Sequence, residues 1–416
     1  MWLRAYSLIS GNDPPKPIIR PHFDPGLFRP SLFSYKVVRI IAKIIKILES
    51  THLSPFSWDD KENTLTISES KVTPIYTAIF VSHYFPYFLY TLYQLYRAFY
   101  DETAHFKVMD VFWIALFTMG HYFSFEGVSN LHLKKDEMVA LFRKMKMFDK
   151  FVKNFINLQG PEKDRFFRKC EFLGIIICRG NTIGAQILML LAVLIYVNKP
   201  LAPQYITGIF PWKTSIFTKM IGLMIDTYTK SVNIGQNFFY QAWFLFCVSY
   251  VTMSISVLRT NATHISKRIA FYRCVFLLNE LHNDCYTPTL LPVRFLFYGQ
   301  YTIAAFAVLM RLRDAISLQE GCVLVQFVFS FTLSAFLYLH ICGRVGHDSK
   351  MVAQDLCRDA WMMGKPEGKI WRKVTKSLKP FGVKINPIRR IGYRGMNDYF
   401  ENLASMLTTV LVALPM

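Results

Sequence analysis

The chain has 416 residues, of which 52% are hydrophobic and 16% aromatic, while only 18% are charged. An average soluble domain carries about 25% charged residues, so this composition excludes an ordinary soluble domain and points to a chain that crosses a membrane repeatedly. The net charge of +20 would suit a nucleic-acid binder only if the basic residues shared one face. Long apolar stretches separate them instead, which turns the charge into a topology signal and argues against nucleic acid as a partner.

Residues 1–73 open with "MWLRAYSLISGNDPPKPIIRPHFDPGLFRP". The prolines break any helix and no sustained apolar core is present, so this is not read as a signal peptide, and the first span is expected to act as the insertion signal. Seven apolar stretches follow, at roughly 74–96, 109–130, 173–196, 235–258, 295–310, 322–342 and 397–416. Each is near the length of about 20 residues that an α-helix needs to cross a bilayer. The expected fold class is therefore all-α, a polytopic membrane protein with seven transmembrane helices. The stretch "TSIFTKMIGLMIDTYTK" (214–230) is amphipathic and could extend the fourth helix outward.

Lysine and arginine orient the chain. Residues 1–73, 131–172, 259–294 and 343–396 carry 10, 11, 5 and 13 of them, while 97–108, 197–234 and 311–321 carry 2, 4 and 2. Basic residues collect in cytoplasmic loops, so the N-terminus is expected inside and, after seven spans, the C-terminus outside. This is opposite to a G-protein-coupled receptor. The sequon Asn261-Ala262-Thr263 falls in an expected cytoplasmic loop, where it should stay unmodified.

Two of the basic segments have helical patterns. In "DEMVALFRKMKMFDKFVKNFINL" (136–158), Met138, Leu141, Phe142, Met145, Phe148 and Phe151 recur at helical spacing with lysines opposite. Segment 350–380 is a second helical region interrupted at Gly364-Lys365-Pro366. The first reads as a helix extending the second span into the cytoplasm, and either could instead lie on anionic lipid. Residues 381–395 read as a short, extended, hairpin-like link before the last span.

Catalytic and metal signatures are missing. The eight cysteines form no CxxC pair and read as isolated reduced thiols. His83, His121 and His340 lie in different spans without HExxH spacing, and read as hydrogen-bonded helix-packing residues. No phosphate loop, nucleophile elbow or zinc quartet is present. The chain is expected to be no enzyme, with no cofactor and no metal.

The length, span count, inverted topology and long basic segment before the last span together resemble the insect chemoreceptor superfamily, the gustatory and odorant receptors. The sharpest local match is the ending, "TTVLVALPM". Gustatory receptors carry Thr-Tyr, five hydrophobic residues and Gln-Phe there. Thr408 matches the threonine and Val410 to Leu414 the hydrophobics, with Thr409 in place of Tyr and Pro415-Met416 in place of Gln-Phe. Residues 378–414 also resemble the odorant-receptor ending, where a turn and a short link lead into the last helix. The resemblance implies a tetrameric, ligand-gated, non-selective cation channel of the plasma membrane, formed with copies of itself or with related subunits. In that family the last helix lines a central pore, the cytoplasmic helices form an anchor, and each subunit holds a small organic ligand, a tastant or an odorant, in an outward-facing pocket. The chain then divides into a cytoplasmic segment (1–73), a six-helix bundle with the pocket (74–342), a cytoplasmic anchor segment (343–396) and the pore helix (397–416).

Tested against that frame, Ser405, Thr408 and Val412 share one face of the last span, with Thr409 beside it and Leu411 on its other flank. Hydroxyls at one level and aliphatics at the next suit a cation path with a hydrophobic gate, although such hydroxyls also bond back to their own helix. Asp398 and Glu401 would place negative charge at the cytoplasmic mouth. Arg179, the one basic residue inside a span, is expected to pair with Glu126 on the neighbouring antiparallel helix or to reach the inner headgroups. The candidate pocket residues are Trp113, Phe117, Leu190, Leu194, Tyr240, Trp243, Gln326 and Phe327, a set that suits a mostly apolar ligand. No charged residue is evident for a charged one. A multi-pass secondary transporter or a non-sensory channel is the alternative.

Overall fold

The computed structural model describes residues 32, 34–50, 52, 54–101, 106–155, 161–205, 207, 215–260, 264–286, 290–312, 314, 316–364, 366–384 and 390–413. The sequon and the last three residues of the chain lie outside the described residues. In chain order the elements are α1 (Tyr35–Ser50), β1 (Phe56–Asp59), β2 (Thr64–Ile67), α2 (Thr73–Tyr100), α3 (Val108–Leu133), α4 (Lys135–Phe155), α5 (Pro161–Asn198), α6 (Ile216–Thr260), α7 (Ile265–Cys285), α8 (Leu290–Arg311), α9 (Leu318–Met362), α10 (Glu367–Lys376) and α11 (Tyr393–Ala413). The structure is all-α apart from one small hairpin, as the composition predicted. Six of the seven expected spans fall within a helix, α2, α3, α5, α6, α8 and α9, and the described part of the seventh, 397–413, falls within α11.

Four of these helices are long and apolar enough to cross a bilayer: Val108–Leu133, Arg165–Asn198, Ile216–Arg259 and Leu318–Met362. The outward faces agree with a lipid solvent. Along α2 the buried residues Phe80, Tyr84, Tyr87, Thr91 and Gln94 form one narrow stripe, and Ile75, Ile79, Phe85, Leu89 and Leu92 are exposed around it. Such apolar surface would destabilise a soluble protein. It is the ordinary exterior of a membrane protein.

α6 is the central element. Residues 242–251 are buried all round, as expected of a helix that is apolar on every side, and α6 packs against α3, α5, α7 and α9. It begins at Ile216, nineteen residues before the expected fourth span, so the amphipathic 214–230 stretch does extend that helix.

The basic segments come together at one end of the bundle. On α1, Val37, Ile41, Ile45 and Leu48 recur at helical spacing and are buried, facing α5 and the hairpin. Contact with α5 is so close that a Cβ on Gly174 would lie 2.8 Å from Val37 Cγ2. The β1–β2 hairpin turns through Asn63, whose φ of 47° is a left-handed value that asparagine tolerates. Asp59 caps the same turn by accepting from the Lys61 and Glu62 amides at 2.8 and 3.1 Å.

α4 forms where its periodicity placed a helix. Met138, Leu141, Phe142, Met145 and Phe148 are all buried. Phe142 stacks on Trp243 at 5.4 Å and meets Trp58 edge-on at 5.6 Å, and Phe148 packs against Phe271 of α7 at 4.9 Å. A face occupied in this way by other protein elements does not lie on lipid.

Beyond α9 the chain breaks at Met363–Pro366, as the Gly-Lys-Pro signal indicated, and resumes as α10. The described parts of the link to α11 carry an isolated antiparallel bridge, Lys384 to Arg390. They are pinned on both sides. Asn279 and Asn283 of α7 donate to the Gly382 carbonyl at 3.0 and 3.2 Å, and the Phe381 amide donates to Ser349 of α9 at 3.1 Å.

His282 sits in this basic-end core on α7, 1% exposed, with its ring 5.0 Å from Phe244 and 4.7 Å from Tyr286. Burial pushes its pKa from 6.5 down to about 3. The unfolded ring takes a proton below pH 6.5 while the folded one does not. Its contribution to stability is therefore whole above 6.5 and is lost as the pH falls from there toward 3. At pH 5.5, one unit into that window, the loss is about 1.4 kcal/mol. Between pH 7.5 and 5.5 the unfolding midpoint should fall further in the wild type than in His282→Phe. Equal falls would mean that the folded ring accepts a proton.

Candidate functional site

At the end opposite the basic core, α3, α5, α6, α8 and α9 line a partly open cavity of about 190 Å³. Trp113, Phe117, Gly120, His121 and Ser124 reach it from α3, recurring every three or four residues on one helix face. Leu188, Leu191 and Ile195 contribute from α5, Lys230, Asn237 and Phe238 from α6, Tyr298 and Tyr301 from α8, and Val323, Phe327 and Phe331 from α9. The aromatic wall is ordered by its own contacts. Phe327 and Phe331 stack at 5.4 Å, and Phe331 stacks on Tyr298 at 5.3 Å. Tyr301 donates its hydroxyl to the Leu116 carbonyl at 2.5 Å.

Trp113 is oriented from behind. Its indole N–H donates to Glu320 Oε1 at 3.1 Å. Glu320, itself buried, accepts from the Ser317 amide and hydroxyl at 2.9 and 2.8 Å and from Lys199 at 2.6 Å. Ser317 and Glu320 thus form the capping box that starts α9, and the same carboxylate fixes a wall of the cavity.

One corner is polar. Lys230 and Asp226, one turn apart on α6, pair at 2.6 Å with side chains 8% and 5% exposed. Tyr87 of α2 donates to Asp226 Oδ1 at 3.2 Å. The Lys230 ammonium lies 4.3 Å from the Phe117 ring centre and 4.5 Å from that of Tyr205. His121 stands beside them, 3% exposed.

Of the eight residues expected in a pocket, Trp113, Phe117 and Phe327 line this cavity. Leu190 and Leu194 are 61% and 41% exposed, because on α5 the inward positions are 188, 191, 192 and 195. Gln326 turns along its own helix, donating to Ser330 at 2.9 Å. Tyr240 and Trp243 are fully buried, but they lie in the basic-end core: Tyr240 accepts from Asn130 at 3.1 Å and Trp243 stacks on Phe142. The cavity-facing part of α6 lies at 230–238, and 240 and 243 lie past it. His121 and Lys230 were both missed as pocket residues. Lys230, which had counted only as a loop charge, brings an ammonium to the cavity wall, already paired with Asp226. His83 does behave as a packing residue, its Nε2 lying 2.9 Å from Thr229 Oγ1.

The expected Glu126–Arg179 pair does not form among the described residues. Arg179 is exposed and Glu126 half-buried, since α5 packs mainly on α6 and α1 while α3 packs on α2 and α6.

On α11, Ser405, Thr408, Thr409 and Val412 are exposed, and Leu403, Leu407, Val410 and Leu411 are half-buried toward α8 and α9, on which α11 packs. Asp398 is half-buried and Glu401 exposed. Thr408 and Thr409 bond back to the Ala404 and Ser405 carbonyls at 2.9 and 3.0 Å. The Leu411 carbonyl accepts from Arg311 at the end of α8, at 2.5 Å. A Cβ on Gly299 of α8 would lie 3.2 Å from Leu403 and 3.3 Å from the Tyr399 hydroxyl, so α8 and α11 touch closely.

No protein-family model matches the chain, and no curated protein matches its sequence. Solved structures do. The insect olfactory receptor OR5 from Machilis hrabei in complex with eugenol superposes with a TM-score of 0.67 over 91% of this chain and 97% of that one, at 11% identity. A second structure of the insect olfactory receptor OR5 from Machilis hrabei gives 0.62 over 90% of this chain and 97% of that one, again at 11% identity. The chain has the fold of an insect olfactory receptor, and the resemblance expected from the sequence is borne out at that level.

Proposed function

We propose that the chain is a chemosensory receptor subunit of the plasma membrane, a ligand-gated non-selective cation channel assembled with three further subunits of its own or a related kind. A small, mostly apolar organic molecule binds in the cavity between α3, α5, α6, α8 and α9. The exposed stripe of α11, Ser405, Thr408, Thr409 and Val412, lines the pore with the half-buried Leu411 on its flank, and Asp398 and Glu401 stand at its cytoplasmic mouth. The observation that carries this reading is the near full-length likeness to a receptor fold that has been captured with a small organic molecule, eugenol.

The packing offers a route from ligand to pore. Tyr298 and Tyr301 face the cavity, and Gly299 between them meets Tyr399 and Leu403 of α11. A ligand that prefers one position of α8 would shift α11 by its differential affinity for the two states. The basic end faces the cytoplasm in this reading, and the C-terminal end of α11 faces outward.

The test is whole-cell current from the chain expressed alone in a non-insect cell, under a panel of volatile and sugar ligands, with a C-terminal epitope stained before permeabilisation. Ligand-evoked cation current with surface staining is the expected result. Staining only after permeabilisation of a chain that has reached the surface would overturn the topology, and the channel with it.

A further inference from the structure

We infer that the cavity selects neutral, single-ring compounds carrying one hydroxyl, which His121 recognises by hydrogen bonding, while the Asp226–Lys230 pair disfavours anions. The inference rests on the cavity being the ligand site proposed above and adds the chemical class of the ligand.

Size comes first. A cavity of about 150 Å³ with apolar walls is enough to hold benzene, so about 190 Å³ fits one ring with a short substituent. Chemistry comes from the corner at His121. This side chain is 3% exposed and lines the cavity. Neither of its ring nitrogens has a hydrogen-bond partner among the described residues. Its flanks are taken by Tyr84 at 5.0 Å and Tyr87 at 4.8 Å, and buried polar atoms are seldom left unmatched. A neutral imidazole presents an N–H at one nitrogen and a lone pair at the other. A hydroxyl both donates and accepts, so it serves whichever nitrogen meets the ligand. An ether or carbonyl serves only an N–H, and a hydrocarbon serves neither.

Lys230 does not make the site an anion receptor. Its ammonium is held by Asp226 at 2.6 Å and boxed by the Phe117 and Tyr205 rings, and the pair sums to no charge. A carboxylate ligand would bring an uncompensated charge into the membrane interior, which is strongly unfavourable.

The test uses the full chain in lipid nanodiscs and equilibrium dialysis, with empty nanodiscs as the blank and affinities referred to the probe concentration in the lipid. Three probes of one shape are compared: 4-ethylphenol, 4-ethyltoluene and 4-ethylbenzoate. One net hydrogen bond corresponds to a preference of about 3- to 10-fold, so 4-ethylphenol should bind that much more tightly than 4-ethyltoluene, with 4-ethylbenzoate weakest. His121→Phe should bring 4-ethylphenol to the level of 4-ethyltoluene and leave the hydrocarbon unchanged, which also reports an intact cavity. His121→Gln, which keeps a donor and an acceptor, should retain part of the preference. Equal binding of phenol and hydrocarbon in the wild type overturns the inference, as does a preference that survives His121→Phe. Tightest binding by 4-ethylbenzoate would make Lys230 an anion reader and overturn the neutral class. Current evoked by other ligands, with none of these probes bound, would sink the inference and leave the channel standing. The stated preference in a chain that passes no current would do the reverse.

Discussion

Asp226→Asn is expected to destabilise the protein by about 3–5 kcal/mol, the usual effect of removing one member of a buried ion pair. The substitution keeps shape and volume, so its effect isolates charge. It leaves the Lys230 ammonium 8% exposed with two aromatic rings and an amide for company. Cation–π contacts are worth about 2 kcal/mol or more each when desolvated, so the two rings offset part of the cost of the unpaired ammonium, which also loses its charge-assisted hydrogen bond to the carboxylate. The companion variant Asp226→Leu/Lys230→Met removes both charges together. Buried pairs replaced by apolar residues of similar size are often neutral in stability, and Tyr87 would keep its contact with the Gln204 carbonyl at 3.2 Å. The double variant should therefore recover most of the loss. Thermal midpoints from size-exclusion profiles of detergent-solubilised chain measure both. A single variant as stable as the wild type would mean that Lys230 finds another acceptor. A double variant as unstable as the single one would assign the effect to packing.

Much of the architecture was legible because the signals were long. Seven apolar runs gave seven helices, and the spacing of Met138, Leu141, Phe142, Met145 and Phe148 gave α4. What was missed was short or depended on partners. The α1 stripe Val37, Ile41, Ile45 and Leu48 is as regular as that of α4, but it sits in a basic segment read mainly for charge. The hairpin at 56–67 has only four residues per strand, too few for alternation to declare itself.

The cavity was legible only in part, for a geometric reason. Trp113 and Phe117 line the cavity, and α3 begins where its span was expected. On α6 the positions that line the cavity lie between 230 and 238, around the junction of the outward extension with the expected span, while Tyr240 and Trp243 lie in the basic-end core. On α5, periodicity gives a stripe but not which stripe faces the protein when both sides are apolar, so Leu190 and Leu194 were chosen over Leu191 and Ile195. Lys230 was unreadable as a cavity residue because only the neighbouring Asp226, Phe117 and Tyr205 make burial of a lysine tolerable.

Val412→Lys is expected to reduce ligand-evoked cation current at least tenfold at unchanged surface expression, and Val412→Asp to preserve or increase it. The hydroxyls of α11 cannot decide what its exposed stripe faces, because Thr408 and Thr409 bond back to their own helix and would be equally at home against lipid. Charge can decide. Val412 is 80% exposed, one turn beyond Thr408 and next to the Leu411 carbonyl that Arg311 holds. If four such positions ring a pore, a permeating cation passes four ammonium groups at once. At about 5 Å in water each adds about 0.8 kcal/mol of repulsion, about 3 kcal/mol together. About 1.4 kcal/mol already slows passage tenfold, and aspartate at the same place reverses the sign. If the stripe faces lipid instead, a lysine so near the helix end bends its ammonium to the headgroups and neither substitution moves the current. Loss of current in both variants with normal surface labelling would mean that residue 412 matters through packing, and the pore would have to be sought on another face of the bundle.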